Sequence, residues 1–142
     1  MHRLLGKRII VGVTGGISAY KSAFLVRLLR KNGADVRIVM TQNATKFVTP
    51  LTFQALSSKP VYTELLDLNT ENAMSHIELA RWADLILIVP ASANFIAKYA
   101  FGFAEDLLST MCLATDSPIA LAPSMNQQMW LNEATQDNIK KI

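Results

Sequence analysis

With 142 residues, 51% hydrophobic and 18% charged, the chain is long enough for one domain with a sizeable core and apolar enough to expect a subunit interface beside it. The net charge of +3 comes without any Lys/Arg run, which speaks against a nucleic-acid partner, and no apolar run reaches the roughly 20 residues that a membrane helix needs. The lone cysteine, Cys112, rules out an internal disulfide or a cysteine-built zinc cluster. Its apolar setting, STMCLAT, reads as an inert core thiol. The opening MHRLLGKRIIVGV breaks its apolar residues with Gly6, Lys7 and Arg8, unlike a signal peptide, so a soluble cytoplasmic protein is expected.

In chain order, RIIVGV (8–13) reads as a buried strand, followed by a helix from about Ser18 to Asn32. Phe24, Leu25, Leu28 and Leu29 form its apolar stripe, with Arg27, Arg30 and Lys31 toward water and Gly33 as the stop. DVRIVM (35–40) is a second strand. TQNATKFVTPLTFQALSS then suggests two short helices, the second starting near Pro50, and PVYTEL a short strand. DLILIVP (84–90) is a continuous apolar run, typical of a strand covered on both faces. SANFIAKYAFGFAEDLLSTMCLAT is helical with a break at Gly102, SPIALAP (117–123) is another buried strand, and a last helix begins near Asn126. Strands alternating with helices predict an α/β fold, a doubly wound parallel sheet in three layers. Ligands then gather beyond the carboxyl ends of the strands. Thr14, Thr41, the 90–94 segment and the 123–126 segment all follow strands.

The stretch VGVTGGISAYKS fits neither familiar phosphate fingerprint. Tyr20 stands where a P-loop needs its second glycine, which leaves Lys21 on the helix flank, and Gly12, Gly15 and Gly16 have the wrong spacing for a dinucleotide site. After the second strand Thr41 offers a hydroxyl where a dinucleotide site carries an acid for the ribose. A neutral donor suits a terminal phosphate, so the reading is a mononucleotide phosphate held by Gly15, Gly16, Ser18 and a helix N-terminus.

Three further segments carry polar groups. His76, in MSHIELARWAD, sits among Ile77, Leu79, Ala80 and Trp82; a lone His in such a setting reads first as structural. PASAN (90–94) offers small residues that admit a flat ligand, while Ser92 could equally cap a helix. In APSMNQQMW, Asn126 either caps a helix or binds a substrate carboxylate, and Met125 and Met129 read as packing. Asp106 reads as an exposed or capping acid.

Together TGGISAYKS, GADVRIVMT, MSHIELARWADL, PASANFIAKYAFGFAEDLLST and PSMNQQMW resemble the homo-oligomeric flavin-containing cysteine decarboxylases over nearly the whole chain. The resemblance is nearest to the branch that converts 4'-phosphopantothenoylcysteine into 4'-phosphopantetheine in coenzyme A biosynthesis. It implies a Rossmann-like flavoprotein, with FMN as cofactor and as the electron sink for losing CO2. It further implies that Gly15, Gly16, Ile17, Ser18 and Thr41 surround the phosphate, and that Ser92, Ala93, Asn94, Phe95 and Ser124 line the flavin. His76 and Asn126 match the active-site histidine and the asparagine that binds the substrate carboxylate, with Met125 beside it. The assembly implied is a trimer, often within a dodecamer. Phe95 and Ser124 stand where the family commonly has Thr and Ala. Its glycine-rich flap with a cysteine has no counterpart, and Cys112 lies in the wrong motif to replace it. The expectation is a single FMN-binding decarboxylase domain over 1–142, ending before that flap and before the ligase domain to which it is often fused. Two other readings are a non-catalytic FMN-binding regulatory subunit and a flavin prenyltransferase; the HIELARWAD and P-x-M-N elements argue against the latter.

Overall fold

The computed structural model describes residues 2–66 and 75–142. It contains five parallel strands: β1 (Arg8–Val13), β2 (Asp35–Met40), β3 (Val61–Tyr62), β4 (Leu85–Ala91) and β5 (Ile119–Pro123). They are hydrogen-bonded in the order β3-β2-β1-β4-β5. The helices are α1 (Lys21–Lys31), α2 (Pro50–Ser57), α3 (His76–Trp82), α4 (Ala93–Ala100), α5 (Leu107–Ala114), α6 (Gln127–Leu131) and α7 (Glu133–Lys141). Short 3-10 turns cover Ile17–Tyr20 and Ala44–Lys46. No helix among the described residues is long and apolar enough to cross a membrane.

β1 is central, with Ile9 beside both Val36 of β2 and Leu85 of β4. Its residues alternate between two cores, which is why RIIVGV is apolar without a break. Ile10, Ile86 and Ile88 pack with Leu79, Ile96, Leu108 and Met111 on one face. Ile9, Val11, Val13 and Ile38 pack with Ala19, Val26 and Phe53 on the other. At Gly12 a Cβ would lie 2.7 Å from Leu108 Cδ1 and 2.9 Å from Ile88 Cδ1, so α5 lies tightly against the middle of the sheet. The chain moves outward from β1 to β2 and β3, then crosses back to β4. The strand order therefore reverses between β1 and β4, and a crevice opens where they end.

Four elements differ from the sequence reading. β5, expected to be buried, is an edge strand whose residues are half-buried or exposed. The first helix begins with a 3-10 turn, and its sheet-facing residues are Ser22, Val26 and Leu29. Phe24 and Leu28, expected in the buried stripe, are 66% and 57% exposed. Ser22 faces the sheet in their place, its hydroxyl donating to the Val89 carbonyl of β4. The last helix is two, because Asn132 (ψ 137°) leaves the helical region and its Oδ1 accepts Ala134 N–H at 2.9 Å to start α7. Gly102, at φ +72°, does end a helix, but six residues separate α4 from α5.

Candidate functional site

A cavity of about 940 Å3 occupies the crevice beyond β1, β2, β4 and β5. Its floor is held by Thr14. The Thr14 hydroxyl donates to the Pro90 carbonyl at 2.5 Å and accepts Ser92 N–H at 2.9 Å, which locks the loops after β1 and β4 together. Next in the chain, a Cβ on Gly15 would meet Asn43 Cβ at 2.7 Å, so the glycine turn lies flush against the segment following β2. Gly16 is the N-cap of the Ile17–Tyr20 turn, in extended backbone, and offers no side chain to cap it. The first N–H groups of that turn are thus left without a side-chain cap in a segment that lines the cavity, where the helix dipole favours an anion.

The remaining walls come from the other strand ends. Thr41 N–H donates to the Val13 carbonyl at 3.0 Å, and its Oγ1 accepts Ala44 N–H at 3.2 Å, leaving the hydroxyl proton to donate onward. Ser92 caps α4 by accepting Phe95 N–H at 3.1 Å, which presents Ala93 and Asn94 to the cavity in the first turn. Ser124 N–H reaches the Ala91 carbonyl at 3.1 Å, and Ser18 Oγ donates to Ser124 Oγ at 2.7 Å across the crevice. Asn126 Oδ1 accepts Met129 N–H at 2.9 Å to cap α6. That leaves the two Nδ2 protons for another partner, so the capping and carboxylate-binding readings are compatible. Hydrogen-bond donors thus collect at the glycine turn, with small residues and an aromatic at α4: a suitable cradle for a flat ring bearing one phosphate.

Residues 1–142 match the family described as Flavoprotein. The chain belongs to the Flavoprotein family. The coenzyme A biosynthesis bifunctional protein CoaBC of Haemophilus influenzae is 60% identical over 140 residues, which cover 99% of this chain and 35% of that one. CoaBC of Escherichia coli K12 is 56% identical over 139 residues, 98% of this chain and 34% of its own. The chain thus spans about a third of the length of the curated relatives it matches. Among solved structures, the FMN-dependent cysteine decarboxylase SpaF aligns with a TM-score of 0.90 at 33% identity, covering 97% of this chain and 79% of that one. A PPC decarboxylase mutant complexed with pantothenoylaminoethenethiol aligns with a TM-score of 0.80 at 31% identity, covering 95% and 76%.

This flavoprotein brings Gly15, Gly16, Ile17, Ser18, Thr41, Ser92, Ala93, Asn94, Phe95, Ser124, Met125 and Asn126 around one cavity, from segments more than a hundred residues apart. His76 is not with them. It is the first residue of α3, after the N-cap Ser75 whose Oγ accepts Glu78 N–H at 3.1 Å, and it does not line its own chain's cavity. Lys21, expected on the helix flank, does line it, as do Phe47, Lys98 and Glu105, which sequence reasoning missed. Lys98 had a legible signal: it falls four residues after Asn94, on the same face of α4. Its ammonium is raised above the ordinary lysine value chiefly by its hydrogen bond to the Glu105 carboxylate, with burial pulling the other way.

Cys112 lies buried on α5, and its thiol is pushed up to about 12, first by burial and then by the negative charge of Asp106. At pH 8 the folded protein should therefore react with a soluble aromatic disulfide roughly 10^3-fold more slowly than the urea-denatured chain. Stopped-flow absorbance of the released thiolate checks this, and similar rates in the two states would contradict it.

Proposed function

We propose that this domain binds FMN and decarboxylates 4'-phosphopantothenoylcysteine, releasing CO2 and 4'-phosphopantetheine with no net change in oxidation state. The observation that carries the proposal is the meeting of the glycine turn, the Ser92–Phe95 segment and the Ser124–Asn126 segment in one cavity. The CoaBC relatives are named for coenzyme A biosynthesis, and the PPC decarboxylase structure holds pantothenoylaminoethenethiol. Bound there, FMN supplies the electron sink that ordinary side chains lack. The N–H groups of the turn after Gly16, with the Ser18 and Thr41 hydroxyls, receive its single phosphate. Ala93, with no side chain beyond Cβ, lets a ring approach the start of α4, and Phe95 and Ser124 complete that wall. Asn126 Nδ2 donates to the substrate carboxylate and orients it, with Met125 alongside. His76 serves as base or electrostatic partner.

Because His76 lies outside its own cavity, it acts in a neighbouring copy. Ile17, Tyr20 and Phe47 line the cavity yet are exposed, Ile17 by 85%, so the mouth is apolar and unfinished in the single chain. A homo-oligomer, a trimer alone or within a dodecamer, closes it and brings α3 of one copy to the cavity of the next. The activity would be that of a cytoplasmic enzyme.

Titration of the purified protein with FMN, followed by single-turnover measurement of CO2 from 4'-phosphopantothenoylcysteine, tests the reading. Flavin uptake with about one CO2 per site is expected. Uptake without CO2 would favour a regulatory flavin binder, and no uptake by folded, assembled protein would end the proposal.

A further inference from the structure

α4 ends at Ala100, and the chain returns toward the cavity through Phe101–Glu105 before Asp106 caps α5. Packing does little to hold this connection: Phe101 and Phe103 are 62% and 54% exposed. Its attachments converge on Lys98 instead. The Lys98 carbonyl accepts Phe103 N–H at 2.9 Å, while Nζ lies 2.6 Å from Glu105 Oε1 and 3.6 Å from Asp106 Oδ2. Asp106 turns its other oxygen to Ser109 N–H at 2.8 Å, so one carboxylate joins the last turn of α4 to the first turn of α5. Beyond these, Lys141 of α7 lies 4.8 Å from the centre of the Phe101 ring.

The geometry points to Lys98 as a positioning residue that holds Glu105 and Asp106, the end of the 101–106 connection that forms part of the wall of the flavin cavity; the inference rests on the flavin reading above. All three charged residues line the cavity, Lys98 one helical turn after Asn94. A lysine already shared between two carboxylates is a poor hook for an incoming anion, so its work is on the wall and not on the ligand. Lys98 and Asp106 are 21% and 29% exposed, so that half of the tie is partly shielded from solvent, whereas Glu105 reaches it from an exposed position. Losing such a tie loosens one local segment far more than it lowers global stability.

Lys98→Met keeps the apolar stem and removes the charge. FMN affinity, read by quenching of flavin fluorescence, should weaken about tenfold. Chymotryptic cleavage after Phe101 or Phe103 should speed up by about the same factor, with the urea midpoint little changed. Lys98→Arg should stay near wild type in both. A packing role predicts that Met serves as well as Arg. Lys98→Met with wild-type FMN affinity and wild-type cleavage overturns the inference. Should that variant not fold, Glu105→Gln, at an exposed position, carries the same comparison. Wild-type protein that takes up no FMN would count against the flavin reading alone, because the cleavage comparison on unloaded protein still decides whether Lys98 holds the connection.

Discussion

Replacing His76 by Asn should lower the single-turnover rate of CO2 release by about 10^2- to 10^4-fold and leave FMN bound, the span over which a positioned acid, base or charge acts. Flavin retention is expected because the proposed phosphate and ring contacts come from the cavity's own chain, to which α3 contributes no residue. Asn preserves polarity at the first helical position, and the cap from Ser75 to Glu78 N–H involves no imidazole atom. The same placement makes a sharper demand. Subunits carrying His76→Asn, mixed and reassembled with subunits carrying Asn126→Asp, should regain activity that neither has alone. In a head-to-tail ring about a quarter of the sites would pair an intact His76 with an intact Asn126 from the next copy. Asp at 126 can still accept Met129 N–H and cap α6, but it presents negative charge to the substrate carboxylate. Inactive mixtures would place His76 and Asn126 of one chain in the same site, and full activity of His76→Asn would remove the histidine from the mechanism.

The second large effect is expected at adjacent glycines, with opposite signatures. In Gly15→Ala the new Cβ falls 2.7 Å from Asn43 Cβ and 3.2 Å from the Asn43 carbonyl carbon. Backbone on both sides must shift, at a cost of about 1–3 kcal/mol, and Thr41 shifts with it. Both the urea midpoint and FMN affinity should fall, the latter by about 10- to 100-fold. Gly16 differs. Its φ of −178° is open to any residue, and the nearest atom to an added Cβ is Pro90 Cγ at 4.0 Å. Gly16→Ala should therefore fold with stability within about 0.5 kcal/mol of wild type. Its methyl occupies the space before the uncapped N–H groups, so flavin affinity should still drop about tenfold. Equal FMN binding by Gly16→Ala would show that the phosphate rests elsewhere. An unchanged urea midpoint in Gly15→Ala would show that the contact with Asn43 has room to give.

Strand ends at 13 and 40 were legible because β1 is an apolar run covered on both faces, β2 closes on the apolar IVM, and a threonine follows each. The ligand-facing segments were legible for a related reason: in a parallel sheet the turns after the strands share one end, so Thr14, Thr41, Ser92 and Ser124 could be grouped before any coordinates. Caps were half legible. Ser92 and Asp106 cap α4 and α5, and Asn126 caps α6 while keeping donors for a ligand.

The order of residues thus determined the alternation of strands and helices and the segments around the cavity, since these depend on local apolar period and on turn chemistry. Only the tertiary structure decided the phase of α1: Ser22, Val26 and Leu29 face the sheet, with the Ser22 hydroxyl on the Val89 carbonyl, and Phe24 and Leu28 stay exposed. It alone gathered Lys98, Glu105 and Asp106 into one tie, and it alone set His76 apart from Asn126. Distances between side chains on different elements depend on how the layers pack, and no periodicity along the chain encodes them.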